Sequence, residues 1–185
     1  YPVKSVGHTA LGAARRRPLL FSFVGARATP GYLTQARTHI LELLAGEPDA
    51  RVEGRGEWHY QRAVYDDQIF QRSAQPWSDA PAEGATDSYR ELLLDSVFAL
   101  CPSGSGPNSI RLWESIGLGA IPVVLADTLE LPGDRALWER AAVFCAETAD
   151  DIALLPQRLR VLAADEARLA AMRAALREIW SRYGD

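Results

Sequence analysis

Residues 100–127 read LCPSGSGPNSIRLWESIGLGAIPVVLAD. The stretch holds a short apolar run, a loop of small residues, an amphipathic segment and a second apolar run entered through Gly119-Ala120-Ile121-Pro122. A short continuous apolar run bounded by turn residues is the pattern of a strand buried on both faces, and the periodic segment between the two runs is that of a helix. Two parallel strands joined by a crossover helix are therefore expected, with Val97–Cys101 and Ile121–Leu125 as the strands and Asn108–Leu118 as the helix.

The same alternation extends in both directions. Upstream, Pro18–Val24 (PLLFSFV) reads as a strand that stops at Gly25, followed by a helix over Leu33–Leu44 and a short strand at Arg51–Glu53. Thr86, Asp87 or Ser88 can cap a helix that runs to about Leu94. Downstream, Trp138 falls in a short helix and Ala142–Cys145 in a last strand. Asp150–Tyr183 reads as two helices meeting near Ala164-Asp165. Residues 54–86 mix aromatics, charges and prolines and read as a long connection with a helical turn near Tyr60–Phe70; long connections inside a domain are often functional. Strands alternating with helices predict an α/β fold with a doubly wound parallel sheet. Residues 1–14 are a lead-in or linker, and 15–185 form the domain.

Composition narrows the function. With 185 residues and 48% hydrophobic content, the chain can bury a sizeable core. A net charge of −4 argues against a general nucleic-acid binder. The run Arg15-Arg16-Arg17 reads as a solvated lead-in to the first strand. No apolar stretch approaches the roughly 20 residues that span a bilayer. The two cysteines, Cys101 and Cys145, lack metal-site spacing. In a 3-2-1-4-5-6 strand order they end the fourth and the last strand with the Ile121 strand between them. Two strand steps give roughly 9.6 Å, beyond the about 7 Å that a disulfide spans, so both are expected as free thiols.

Ligands of a doubly wound sheet sit beyond the carboxyl ends of its strands, which is where the loop Pro102–Ser109 lies. Gly104 and Gly106 allow close backbone approach. Ser103, Ser105, Asn108 and Ser109 supply hydroxyl and amide groups. The first-turn amides of the following helix favour an anion. Arg111, one turn in, can hold two phosphate oxygens with its planar fork. Glu114 lies three residues on and can accept from a ribose diol. Phosphate and ribose together describe a nucleoside diphosphate. The competing reading is an Arg111–Glu114 surface pair at i,i+3 beside an ordinary Ser-Gly linker; the loop is neither GxGxxG nor a Lys-bearing phosphate loop.

Residues 89–132 also resemble the C-terminal half of exostosin-family glycosyltransferases. The matching residues are Tyr89, Ser96, Phe98, Leu100, Pro102, Gly104, Ser109, Arg111, Glu114, Gly119, Ile121, Pro122, Val123, Asp127, Leu131 and Pro132. Upstream, RRRPLLFSFVGA followed by Arg37 is similar to the family's strand, glycine and later arginine. The resemblance implies a Rossmann-like domain of GT-B type that binds a nucleotide-sugar, generally a UDP-sugar, for transfer to a glycan acceptor. It implies no DxD metal motif and no cofactor, and Asp66-Asp67 lacks that pattern. The leaving diphosphate is then stabilised by cations and helix N-termini, with Arg111 first and Arg27 second. A GT-B enzyme also needs an N-terminal acceptor domain, expected on a part of the protein outside these residues. The catalytic base stays unassigned, with His59, Asp66 and Asp67 as candidates. Two alternatives stand beside this reading: a non-catalytic α/β module serving in assembly, and a transferase that uses a GDP-sugar.

Overall fold

A computed structural model of the chain describes residues 15–55 and 85–184. Their elements run β1 (Leu19–Ala26), α1 (Ala36–Leu43), β2 (Ala50–Arg55), α2 (Ala85–Asp95), β3 (Ser96–Pro102), α3 (Ile110–Gly117), β4 (Ile121–Leu125), α4 (Arg135–Ala141), β5 (Val143–Phe144), α5 (Ala149–Ala163) and α6 (Glu166–Tyr183). The alternation expected from the hydrophobic pattern is present, and the last two helices meet at Ala164-Asp165. Asp165 caps the second of them, accepting from the Arg168 amide at 2.9 Å. The expected helical turn near Tyr60–Phe70 lies outside the described residues.

All five strands are parallel, in the order β2-β1-β3-β4-β5. The described strands take places 2-1-4-5-6 of the expected 3-2-1-4-5-6 order, with no strand at place 3 among the described residues, so Cys101 lies near the end of the third described strand. The β4 strand still lies between the two cysteines, Cys101 pairing with Val124 while the Cys145 amide donates to Val124 O from the other side. Both thiols are free and buried. Central strands covered by helices on both faces have no alternation to show: Phe98 through Cys101 and all of β4 are buried.

The turn from α3 into β4 explains the glycine of the GAIPV motif. Gly119 has φ 75°, the Gly119 amide donates to Ile116 O and the Ala120 amide to Ser115 O, both at 2.9 Å. Those two bonds close the helix in a Schellman arrangement, and the left-handed residue at its centre favours glycine. The strand then begins two residues later, so α3 and β4 are locked at a fixed angle.

The basic run at the start is not a solvated lead-in throughout. Arg15 pairs with Glu91 and Asp95 on the surface. Arg17 is half-buried and uses its fork on three carbonyls, those of Leu93 at 2.9 Å, Ser96 at 2.8 Å and Leu118 at 2.8 Å. It ties the ends of α2 and α3 to the start of β3, at the amino edge of the sheet. A planar five-donor group satisfies carbonyls that the helix ends leave without partners.

The chain moves outward from β1 to β2, then returns past β1 to β3. The strand order therefore reverses between β1 and β3, and the crevice for a ligand opens at the carboxyl ends of those two strands.

Candidate functional site

Gly25 stands at the carboxyl end of β1, beside that crevice. A Cβ on Gly25 would lie 2.9 Å from Phe23 Cζ, 3.1 Å from Arg37 Nη1 and 3.3 Å from Arg111 Nη2. The glycine leaves room for the Phe23 ring edge, the tightest of these approaches, and for two guanidinium groups that close over it. One comes from α1 and the other from α3, and both are half-buried.

Arg37 donates from Nε to Ser103 O at 2.9 Å, its one hydrogen bond among the described residues. Its guanidinium lies 5.0 Å from the Tyr32 ring centre and 5.9 Å from that of Phe23. Arg111 donates from Nε to Tyr89 Oη at 3.0 Å and from Nη2 to Val24 O at 2.5 Å, and it lies 4.9 Å from the Phe23 ring centre. Its Nη1 is buried and has no hydrogen-bond partner among the described residues. Burial, and after it the neighbouring Arg111 charge, push Arg37 down to about 10. Burial raises Tyr89 to about 12, so its hydroxyl stays neutral beside Arg111. Two like charges in a partly desolvated place repel, and an anion between them relieves both the repulsion and the unmet donor.

Arg111 therefore does not lie outward on the helix surface, as the simple i,i+3 surface pair would have it. It reaches back under β1. Glu114 follows one turn later on α3, half-buried, where its charge favours that of Arg111.

The loop after β3 divides in two. Ser103 is 3% exposed, and its hydroxyl donates to the Glu147 carboxylate. It is support rather than an open ligand group. Gly104 and Gly106 do not have left-handed backbone; a Cβ at Gly104 would make ordinary contacts with Arg37 Nη2 at 3.6 Å and Tyr32 at 3.9 Å, and one at Gly106 would meet nothing within 4 Å. Their value is open space. Ser105 and Asn108 are exposed on that open side. Ser109 occupies the N-cap position of α3 but makes no capping bond through its side chain. Arg27 is exposed and paired with Glu42 at 2.7 Å, so it does not join the Arg37–Arg111 pair.

A cleft of about 210 Å³ opens further along the same edge, between the ends of β4 and β5. Asp127, Arg135, Phe144 and Cys145 line part of it, and the Arg135 guanidinium stacks 4.6 Å from the Phe144 ring centre. The candidate bases His59, Asp66 and Asp67 lie outside the described residues. No cluster of three or more potential metal ligands occurs among the described residues, and none of their helices is long and apolar enough to cross a membrane.

The pattern of strand, glycine and arginine around this crevice has relatives. The family model for the exostosin GT47 domain matches residues 4–162. The chain belongs to the exostosin family of glycosyltransferases. Among relatives, an exostosin-1 homolog of Caenorhabditis elegans is 28% identical over 172 residues, covering 91% of this chain and 41% of the relative. A probable glucuronosyltransferase of Oryza sativa subsp. japonica is 47% identical over 66 residues, 35% of this chain and 15% of the relative. A probable beta-1,4-xylosyltransferase of Arabidopsis thaliana is 44% identical over 61 residues, 32% of this chain and 15% of the relative. The chain thus spans well under half the length of these curated relatives, and its glycosyltransferase relatives differ in the sugar their names carry.

Two residues around this crevice carry little signal in the sequence. Arg37 belongs to the resemblance but carries no local signal, since it is one residue among others in the first turn of α1. Glu147 has none beyond its place just past a strand end.

Proposed function

We propose that this domain binds the nucleotide-sugar donor of a glycosyltransferase, with the diphosphate against Arg37 and Arg111 and the ribose on Glu114. The observation that carries the reading is the guanidinium pair at the point where the strand order reverses, crossing a glycine and leaving Arg111 Nη1 without a partner. Ser105, Asn108 and the uncapped first turn of α3 would add donors from the open side. In transfer, the bond from the sugar's anomeric carbon to the diphosphate oxygen breaks, and the electron pair leaves with the nucleoside diphosphate. The acceptor hydroxyl bonds to the anomeric carbon and gives its proton to a base. Fixed cations that gain strength as charge develops on the diphosphate stabilise that step. The donor is a UDP-sugar on the family likeness, and the glycan acceptor is held by a further domain.

Titration calorimetry of the chain with UDP, GDP and uridine tests the reading. UDP should bind more tightly than uridine, because the diphosphate supplies the charged contacts, and more tightly than GDP. Glu114→Ala should weaken UDP by about 1.5–3 kcal/mol, the range for a hydrogen bond to a charged group. Equal affinity for UDP and uridine removes the diphosphate site; equal UDP affinity in the variant removes the ribose contact.

A further inference from the structure

Glu147 lies just past β5 and just before Thr148, which caps α5. Its half-buried carboxylate receives donors from three separate loops. Oε1 accepts from Thr34 Oγ1 at 2.8 Å and from Ser103 Oγ. Oε2 accepts from the Asp127 amide at 3.1 Å, while the Glu147 amide faces Asp127 Oδ2 at 3.4 Å. These partners stand 113, 44 and 20 residues away in sequence. One carboxylate therefore ties the loops that follow β1, β3 and β4 to the chain that follows β5. All four lie at the carboxyl edge of the sheet.

We infer that Glu147 is a positioning residue, which holds the Arg37 guanidinium at the diphosphate site by fixing Ser103. The inference rests on the reading of Arg37 and Arg111 as that site. The path is short. Glu147 fixes the Ser103 side chain, the Ser103 amide donates to Leu125 O at 2.8 Å, and Ser103 O receives Arg37 Nε at 2.9 Å. Arg37 sits beside a like charge and has one hydrogen bond among the described residues to keep it there, so the place of that carbonyl decides where the fork points. Glu147 also accepts the hydrogen bond that each of the two hydroxyls can donate. Neither Thr34 nor Ser103 can then donate to a phosphate, which leaves the cations to meet it. The carboxylate is suited to this task because it is acceptor-only and can take several donors at once.

The test is a double-mutant cycle read by calorimetry with UDP and with inorganic pyrophosphate, on the wild-type chain, Glu147→Gln, Arg37→Met and the double variant. Glutamine keeps the size but turns an amide donor toward one of the three donors. UDP affinity should fall on the order of ten-fold in the wild-type background. In the Arg37→Met background the same change should alter affinity by less than about two-fold, because the residue it acts through is gone. A contribution that only stabilises the fold would weaken binding equally in both backgrounds, and that result overturns the inference, as does unchanged affinity in Glu147→Gln. If Glu147→Gln does not fold, Thr34→Val removes one donor to the carboxylate at matched size and should show a smaller loss with the same dependence on Arg37. Wild-type chain that binds neither UDP nor pyrophosphate rejects the diphosphate reading itself, and the positioning role with it.

Discussion

Both edges of this sheet carry half-buried arginines, and they are built differently. At the amino edge, Arg17 meets three carbonyls. At the carboxyl edge, Arg37 and Arg111 crowd each other across Gly25, and Arg111 Nη1 has no partner among the described residues. Arg17, like Arg37, is pushed down to about 10 by burial first, so the perturbation alone does not separate a structural arginine from a functional one. The hydrogen-bond inventory does. The donors of Arg17 are met by the fold's own carbonyls, whereas Arg111 keeps an unmet donor beside a second cation across Gly25 at the carboxyl edge, where ligands of such a sheet bind.

The largest expected effect tests the amino edge. Arg17→Met strands the carbonyls of Leu93, Ser96 and Leu118 and should lower stability by about 3 kcal/mol in chemical denaturation. UDP affinity of the folded variant should stay at the wild-type level. A variant that melts normally would make Arg17 no clamp and would dissolve the contrast.

Arg37→Met should do the reverse. It removes a repelled cation and one hydrogen bond, so the melting temperature should move less than in Arg17→Met, while UDP binding should weaken by about 2 kcal/mol. Loss of stability without loss of affinity would place Arg37 in the same class as Arg17.

Gly25→Ala sharpens the comparison at one atom. The added methyl would press on Phe23 and on both guanidiniums, and side chains that must shift in a packed place cost about 1–2 kcal/mol. Displacement of the two cations should appear as weaker UDP binding on top of that destabilisation. Unchanged binding would mean that the pair need not cross the glycine closely to hold its ligand.

The smallest effect concerns the thiols on either side of β4. Burial pushes Cys101 up to about 12 and Cys145 up to about 11. A raised folded-state value keeps the proton on the sulfur, so alkylation of native protein at pH 8 should be slow at both and should reach Cys145 first. The stability gained from holding these protons is fully present below the ordinary thiol range and is lost as pH rises through about 11 and then 12. Since Cys101 lies close enough to feel the Arg111 charge, rapid labelling there would show that the cationic edge opens from beneath.

Much of the fold was legible because its signals are local. Continuous apolar runs marked β1, β3 and β4, and the glycine after Leu118 marked the end of α3. The loop beyond β3 was correctly placed at the carboxyl edge, but its serines were treated alike. Ser103 turned inward to Glu147, and Ser105 and Asn108 stayed exposed. Backbone order does not say which way a hydroxyl points. Arg27 and Arg37 illustrate the same gap. The nearer one in sequence to Gly25 pairs with Glu42 on the surface, and the one a full helix start away folds back over the glycine.

The sequence by itself determined the alternation of strands and helices and the family, because each rests on neighbouring residues or on a contiguous motif. Only the tertiary structure decided which charged groups meet. Arg37 reaches Ser103 across 66 residues, Arg111 reaches Val24 across 87, and Thr34 reaches Glu147 across 113. Those meetings follow from the reversal of strand order between β1 and β3, which brings the loops after four parallel strands to one edge. A parallel sheet pairs distant segments by its nature, so the site it builds is written in the order of its strands rather than in any one stretch of chain.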